Sequence, residues 1–424
     1  MQQYTLDNGA RVILAPFDGT SAAAVLVLFR VGSRNEDLPV WGGSHFIEHL
    51  MFKGTTRRPE TIDISKELDR YGAQYNAYTG KDLTGYWVKI AGEHLPVAVD
   101  LLHDMLFHSK FDVEEMEREK KVIIEEIKMY EENPIMHIED MLEEAMFDGH
   151  VLGRNIAGTP ESMMAMRRED VLLYRDAFYH PENMVIVVSG NISAEAQQAI
   201  EGTFGKVQRS LRQGYKANES LPISKHVGLR LRRQYKDNKQ IQMMLGFPGL
   251  HRGHADEYAA KLLATILGGT MSSRLFIEVR EKLGLCYSIR SAWDAYDDIG
   301  MFTVRAGLDA ERLPLAMTTI IDQLKKVALD GVTADELQMV KDNLRGSLAL
   351  QLEDSSDRAE FYGRQALFLE GIENPSERLA HFSAVTVEDI GRVARDILRL
   401  DDMALSIIGP YKSDDEVLSQ MNIR

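Results

Sequence analysis

The pattern of apolar and polar positions divides the first part of the chain into strands and helices. Two β-prone runs in residues 1–17 flank Asn8-Gly9, a dipeptide that favours a hairpin turn. The continuous apolar run AAAVLVLF, residues 22–29, predicts a buried strand. Residues 63–90 predict a helix ending at Gly72 and then two strands around a turn at 80–82. An amphipathic helix over 94–111 follows.

A long, charge-rich helix comes next. Asp112 and Glu115 form a capping box at its start, and Pro134 marks its end.

The second half of the chain repeats the pattern of the first. Residues 169–190, EDVLLYRDAFYHPENMVIVVSG, and 388–409, EDIGRVARDILRLDDMALSIIG, both predict a helix, a polar break and a buried strand that ends in Gly. EEMEREKKVI and DELQMVKDNL form a second matched pair at a similar offset of about 220 residues. The repeat predicts duplicated domains at 1–208 and 227–424, joined by a linker at 209–226. Helix-then-strand units also recur without duplication, so that alternative stays open here.

The composition indicates which kinds of partner are disfavoured and which cellular compartment is expected. The 424 residues carry 49 basic and 65 acidic side chains, a net charge of −16, which disfavours a nucleic-acid partner. No apolar run is long enough to span a membrane, and the N-terminus lacks the pattern of a signal peptide. Cys286 is the only cysteine, so we expect a reducing compartment and a cytoplasmic protein.

The segment HFIEHLMF, residues 45–52, places polar groups inside an apolar run. At helical spacing His45, Glu48 and His49 share one face, and the other sides are apolar: Phe46, Ile47, Leu50 and Met51. A lone histidine there is usually a core residue, but three polar groups on one face favour a metal site. Two histidines one turn apart suit zinc, and Glu48 is placed to take a proton from zinc-bound water.

A catalytic zinc ion usually has three protein ligands, so one more must come from elsewhere. Glu119 and Glu126 lie two turns apart on the long helix. Val122 and Met129 share their face, which predicts that this face turns inward. Glu125 lies about 100° around the helix and is predicted to be solvated. Charge-rich helices are often simply exposed, so Glu126 is only a candidate from this pattern.

Several motifs together resemble one known family, the pitrilysin and insulin-degrading-enzyme (inverzincin) metallopeptidases. The chain is most similar to short bacterial members related to the catalytic subunit of mitochondrial processing peptidase. The resemblance covers nearly the whole chain and rests on these motifs: LDNGARVIL, GGSHFIEHLMFKGT, GAQYNAYTGKDLTGYW, EREKKVIIEEIKMYEENP, HPENMVIVVSGNIS and LGGTMSSRLFIEVREKLGLCYSIRS. It implies an α+β fold of two homologous domains, each a largely antiparallel β-sheet flanked by α-helices, like half of a clamshell.

The resemblance also implies roles for residues of the first half. His45 and His49 match the zinc ligands, Glu126 matches the third ligand, and Glu48 matches the general base. Glu119 matches an acidic residue that orients a ligand histidine or helps to hold the water.

Further roles concern the substrate. Arg280 and Tyr287 match a pair that holds substrate near the scissile bond and stabilises the oxyanion. Asn76, Ala77 and Tyr78 match an edge strand that pairs with the substrate backbone. An ordinary hairpin edge fits the chemistry of that strand equally well.

The chain departs from the family pattern at several positions, and these affect the expected number of zinc ions and the expected type of subunit. The second half has no histidine motif, and Ser347 stands where Glu126 would repeat, so we expect one zinc ion per chain. LGGTMSSR is too short to be the glycine-rich loop of the non-catalytic subunit, which favours a catalytic subunit. Cys286 replaces a small residue before the tyrosine; we expect it to pack, although a thiol there could make activity sensitive to oxidation.

These observations predict a zinc endopeptidase that cleaves peptides or unfolded segments inside a dimeric chamber. The resemblance implies a dimer, with Arg280 and Tyr287 facing the zinc of the other subunit, and we expect a homodimer. Two alternatives stay open: a catalytic half that needs an inactive paralogue as partner, and a non-catalytic structural subunit. No nucleic acid and no membrane are expected as partners.

Overall fold

The computed structural model describes residues 1–208 and 229–421. Its strands are β1 (Gln2–Thr5), β2 (Arg11–Pro16), β3 (Ala22–Phe29), β4 (Gln74–Thr79), β5 (Thr84–Ala91), β6 (Met184–Gly190), β7 (Arg230–Tyr235), β8 (Gln240–Gly249), β9 (Cys286–Ala295), β10 (Gly300–Asp309) and β11 (Ala404–Gly409).

The α-helices are α1 (Gly43–Leu50), α2 (Thr61–Arg70), α3 (Leu95–His108), α4 (Val113–Glu132), α5 (Pro134–Met146), α6 (Pro160–Ala165), α7 (Arg168–Phe178), α8 (Ala196–Gly202), α9 (Glu257–Ala264), α10 (Leu313–Asp330), α11 (Ala334–Gln351), α12 (Ser355–Phe368), α13 (Pro375–Ala384), α14 (Val387–Ile397) and α15 (Asp414–Met421). The chain also forms π-helical turns at Thr265–Gly269 and Phe276–Lys282.

The described residues form two compact units. The first contains residues 1–128, 154–208 and 347–373, and the second contains 129–153, 229–346 and 374–421. The domain limits 1–208 and 227–424 stay predictions, and the predicted linker 209–226 lies outside the described residues.

The first unit is built on a sheet with the strand order β1-β2-β6-β3-β5-β4. Its pairs are antiparallel except β2 with β6, which is parallel. The predicted Asn8-Gly9 hairpin joins β1 to β2, and Gly9 has the positive φ of +91° that such turns need. Strand β4 lies at one edge and pairs within this sheet with β5.

Both faces of the first sheet are covered. One face packs on the main core with α3, and the other packs under α12, which contributes Ala359, Tyr362 and Ala366. The apolar run of β3 is continuous because its side chains are buried on both faces. Helix α12 approaches the sheet closely: a Cβ added at Gly363 would lie 2.8 Å from a methyl group of Leu28.

The second unit repeats this architecture. Its strand order is β7-β11-β8-β10-β9, with β7 and β11 parallel and the other pairs antiparallel. Each of its strands has a counterpart at the same place in the first sheet, and β9 is the edge strand that corresponds to β4. The predicted α+β fold of two homologous, largely antiparallel domains is therefore confirmed.

Each unit contains one helix from the other half of the sequence. Helix α5 follows the first-half helix α4 but packs on β11, β8 and β7 of the second unit. Helix α12 follows α11 in the second half but packs on β3 and β6 of the first unit. The compact units thus differ from the two halves of the sequence, because α5 and α12 each pack on the sheet that the other half of the sequence forms.

Helix α4 has the predicted limits but not the predicted inward face. Asp112 caps it by accepting backbone hydrogen bonds from Glu114 and Glu115, and it ends just before Pro134. The prediction that Val122 and Met129 turn inward is wrong, since these side chains are 51% and 54% exposed. The buried residues are instead Met116, Glu119, Lys120, Ile123 and Ile127.

Within the described part of the chain, no helix combines the length and the apolar character needed to cross a lipid bilayer.

The neighbours Ile123 and Val122 provide a matched test of which face of α4 is buried. Ile123→Ala should lower the free energy of unfolding by about 2–5 kcal/mol, because it empties a fully buried position. Val122→Ala should change it by less than about 0.5 kcal/mol. Urea unfolding followed by circular dichroism measures both. Equal losses in the two variants would contradict the buried face described above.

Candidate metal centre

Helix α1 presents the polar groups of the HFIEHLMF segment. Its start is set by Glu36, whose buried carboxylate accepts hydrogen bonds at 2.7 Å from the backbone N–H groups of Gly42 and Ser44. Burial raises the pKa of Glu36 to about 7, against the lowering effect of these two bonds. Gly42 adopts a left-handed φ of +93°, which glycine tolerates without strain. As predicted, the apolar residues of this segment are buried: Phe46, Ile47, Leu50 and Met51.

Three of the predicted residues converge at one point. The Nε2 atoms of His45 and His49 are 3.2 Å apart. The Oε2 atom of Glu126 on α4 lies 3.5 Å from His49 Nε2 and 3.9 Å from His45 Nε2. The side chains of this triad are 14–24% exposed, so the site is shielded yet reachable from solvent. Glu125 instead pairs with Lys128 on the exposed side of α4, as predicted.

The spacing of the triad fits a small divalent cation. Ligands at about 2.0–2.1 Å around a tetrahedral ion are about 3.3–3.4 Å apart. The three separations in the triad bracket that value, and they bring two imidazole nitrogens and a carboxylate oxygen to one point. Burial, with His49 close by, lowers the pKa of His45 to about 3, so its imidazole is neutral and able to bind metal at neutral pH.

Glu119 supports the triad from behind. Its Oε1 accepts a hydrogen bond from His49 Nδ1 at 2.8 Å, which leaves the Nε2 lone pair directed at the metal position. Its Oε2 forms an ion pair with Lys53 at 2.6 Å. Burial acts to raise the pKa of Glu119, but the bonds to His49 and Lys53 outweigh it and lower the pKa. The carboxylate therefore stays charged while it orients the histidine.

Glu48 lies beside the triad with its carboxylate held by β4. Thr79 Oγ1 donates a hydrogen bond of 2.6 Å to Glu48 Oε2. Burial raises the pKa of Glu48, whereas the bond from Thr79 and the neighbouring His49 lower it. Burial outweighs these two effects and the pKa of Glu48 is raised, which makes its carboxylate a stronger proton acceptor.

The predicted substrate strand is an edge strand next to this site. Asn76, Ala77 and Tyr78 belong to β4, which ends at Thr79 and thus at Glu48. The Ala77 side chain is buried. The Tyr78 hydroxyl donates to the carboxylate of Glu360 on α12 at 2.7 Å. Pairing would therefore use the main chain of β4 rather than these two side chains, and it would have to displace Asn76 Oδ1 from the Ala77 N–H, which it accepts from at 2.9 Å.

Arg280 and Tyr287 are brought together within the second unit. The Arg280 guanidinium lies 5.6 Å from the centre of the Tyr287 ring and 4.6 Å from that of Phe276. Arg280 is on a π-helical turn and Tyr287 is on the edge strand β9, with its side chain 81% exposed. Cys286 is half-buried, and burial raises the pKa of its thiol to about 11, as expected for an inert packed cysteine.

Sequence reasoning missed three residues that shape the site: Glu36, Lys53 and Thr79. Lys53 carried a detectable signal, since it lies one turn after His49 in the same motif. Glu36 and Thr79 carried none, because their partners are set by how a loop and a hairpin fold back onto α1.

Comparisons with known proteins place these features in a family. Residues 11–160 match the family model described as insulinase (peptidase family M16), and residues 165–344 match the model described as peptidase M16 inactive domain. The chain is 37% identical over 410 residues to the uncharacterized zinc protease YmxG of Bacillus subtilis, covering 97% of this chain and 98% of that protein.

Solved structures agree on the fold. A protease from Helicobacter pylori is similar with a TM-score of 0.90 at 24% identity, covering 96% of this chain and 99% of that one. A peptidase M16 inactive domain from Pseudomonas fluorescens is similar with a TM-score of 0.86 at 20% identity, covering 97% and 98%.

The adjacent residues Glu126 and Glu125 allow a controlled test of the third ligand. Glu126→Gln should weaken zinc binding by at least about tenfold, because it replaces a charged ligand oxygen with an amide. Glu125→Gln should leave zinc binding unchanged, since Glu125 points away. Competition with a chelating dye measures both affinities. Weakening only in the Glu125 variant would move the third ligand to that residue.

Proposed function

The chain belongs to the insulinase family of peptidases, family M16, and on that premise we propose that it is a zinc-dependent endopeptidase acting on peptides or unfolded segments. The observation that carries the proposal is the convergence of His45, His49 and Glu126, with Glu48 beside them. The name zinc protease, given to its relatives, supports zinc as the metal. One zinc ion per chain is proposed, since the triad is the one such cluster found among the described residues.

The residues of the first unit have complementary roles in this proposal. A bound zinc ion would supply Lewis acidity, which polarises the scissile carbonyl and acidifies water. Glu48 takes the proton from the attacking water and passes it to the leaving amine. Glu119 keeps His49 in the tautomer that offers Nε2, and Lys53 holds Glu119 in that orientation.

The edge strand β4 is proposed to bind substrate. An extended peptide that pairs with its free edge would gain main-chain hydrogen bonds, which tolerate many side-chain sequences. Because β4 ends beside Glu48, a peptide bound in this way would run towards the metal site. Asn76, Ala77 and Tyr78 supply that pairing edge.

The match to an inactive-domain model falls on the half of the chain that lacks the histidine motif. The other model covers residues 11–160, which include the full set of motif residues. We propose that the first half of the chain carries the metal site and the base, and that the second half assists catalysis. A non-catalytic structural subunit is the weaker alternative, because such a subunit has no need of a complete metal triad and base.

Arg280 and Tyr287 are proposed to act on substrate across a dimer. A tyrosine with 81% of its surface exposed, beside a guanidinium, offers donors for an oxyanion once a partner surface covers it. We propose a homodimeric chamber in which this pair serves the zinc of the other subunit; a heterodimer with an inactive paralogue is the alternative. The cytoplasm stays the predicted location.

Cleavage of a mixed quenched-fluorescent peptide library by the purified chain tests the proposed activity. We expect hydrolysis that a chelator abolishes and added zinc restores. Glu48→Gln should retain zinc but lose at least about 10²-fold in rate, because the general base is removed. Turnover at the wild-type rate in this variant would rule out Glu48 as the base. A wild-type chain that binds zinc but cleaves nothing alone would favour the heterodimer.

Mixing two inactive variants tests whether the site is shared between subunits. A heterodimer of Glu48→Gln and Arg280→Ala contains one intact site only if Arg280 serves the zinc of its partner. We therefore expect activity to reappear on mixing, approaching about a quarter of the wild-type rate for random assortment. The control mixture of Glu48→Gln with Glu126→Gln should stay inactive, because both changes are on the zinc side. No recovery in the first mixture would contradict the shared site.

A further inference from the structure

The strongest unassigned feature is the contact between the edge strand and the proposed base. Thr79 Oγ1 and Glu48 Oε2 are 2.6 Å apart, within the range of a charge-assisted hydrogen bond from a hydroxyl to a carboxylate. Thr79 is not a member of the triad itself. Its hydroxyl engages one carboxylate oxygen of Glu48 and leaves the other available for a proton.

Thr79 is itself held rigidly. It is the last residue of β4 and pairs across the hairpin with Thr84 on β5. The turn that follows β4 is bound by the backbone of residues 33 and 34. The Gly80 carbonyl accepts a hydrogen bond from Ser33 N–H, and the Lys81 carbonyl accepts one from Arg34 N–H, each at 3.1 Å.

The residue on the other side of Thr79 is anchored as well. The Tyr78 hydroxyl is bound to both carboxylate oxygens of Glu360, at 2.7 Å each. The Tyr78 ring also packs against Gly85, leaving no room for a larger residue there. Threonine adds its own stiffness, since branching at Cβ restricts its χ1 rotamers.

We propose that Thr79 is a positioning residue for the general base, and that it links substrate pairing on β4 to the orientation of Glu48. This inference rests on the proposed function and adds a residue and a coupling to it. Glutamate has three rotatable side-chain bonds, so a half-buried Glu48 needs a fixed partner to stay in one geometry. A peptide strand bound along β4 would steady the same strand end that carries the hydroxyl.

Two substitutions distinguish the effect of the Thr79 hydroxyl from the effect of the side-chain shape. Thr79→Val keeps the branched volume but removes the donor, and Thr79→Ser keeps the donor but removes a methyl group. With a peptide that the wild type cleaves, Thr79→Val should lower kcat by about 10- to 100-fold, because the base is no longer held in place. Its KM should stay within about twofold, and Thr79→Ser should recover kcat to within about threefold of the wild type.

Zinc content and crystal structures provide readouts that do not depend on turnover. All three proteins should bind one zinc ion per chain. Glu48 should occupy a single rotamer in the wild type and in Thr79→Ser, but shift or adopt several rotamers in Thr79→Val. A merely structural role for Thr79 predicts instead a raised KM with kcat unchanged.

The inference is overturned if Thr79→Val retains wild-type kcat, if Thr79→Ser falls as far as Thr79→Val, or if Glu48 keeps its rotamer without the hydroxyl. If the wild-type chain neither binds zinc nor cleaves any peptide, the proposed function fails. The rotamer comparison then still decides whether Thr79 positions Glu48.

Discussion

The hydrogen bond between His49 and Glu119 is the interaction on which the site depends. It joins α1 to α4, the two helices that carry the converging ligands. It selects the imidazole tautomer that offers Nε2, and the ion pair with Lys53 keeps the carboxylate charged and oriented. Together the two contacts of Glu119 link the HFIEHLMFK segment to α4 and hold the histidines near Glu126.

The sheet explains why the site is where it is. Strand β3 and its neighbours are buried on both faces, so polar chemistry is restricted to the edge and to the helix that packs beside it. Strand β4 is that edge, and it delivers Thr79 to Glu48. The second unit repeats the sheet and its edge strand, but it has Tyr287 on that strand and Arg280 on the neighbouring π-helical turn, with no histidine motif. The same sheet architecture thus supports a metal triad in the first unit and an arginine–tyrosine pair in the second unit.

The exchange of α5 and α12 shows how far duplication constrains the fold. Both helices follow corresponding long helices, and each covers the sheet of the other half. A sequence cut into two equal halves misses this exchange, because the apolar face of an amphipathic helix does not specify which apolar sheet it covers. The same ambiguity explains the error on α4. Val122 and Met129 are apolar and share a face with Glu126, but Ile123 and Ile127 reach the core instead.

The sequence by itself determined the local chemistry: the helix of His45 and His49, the hairpin around β4 and β5, the ends of α4, and the repeat that predicts two homologous domains. These follow from turn residues, caps and periodicity, which act over a few residues. Only the tertiary structure decided that the candidate Glu126 reaches the histidines, that Lys53 pairs with Glu119, and that Thr79 holds Glu48. Those contacts join residues distant in sequence or on the far side of a turn, so they depend on the path of the folded chain.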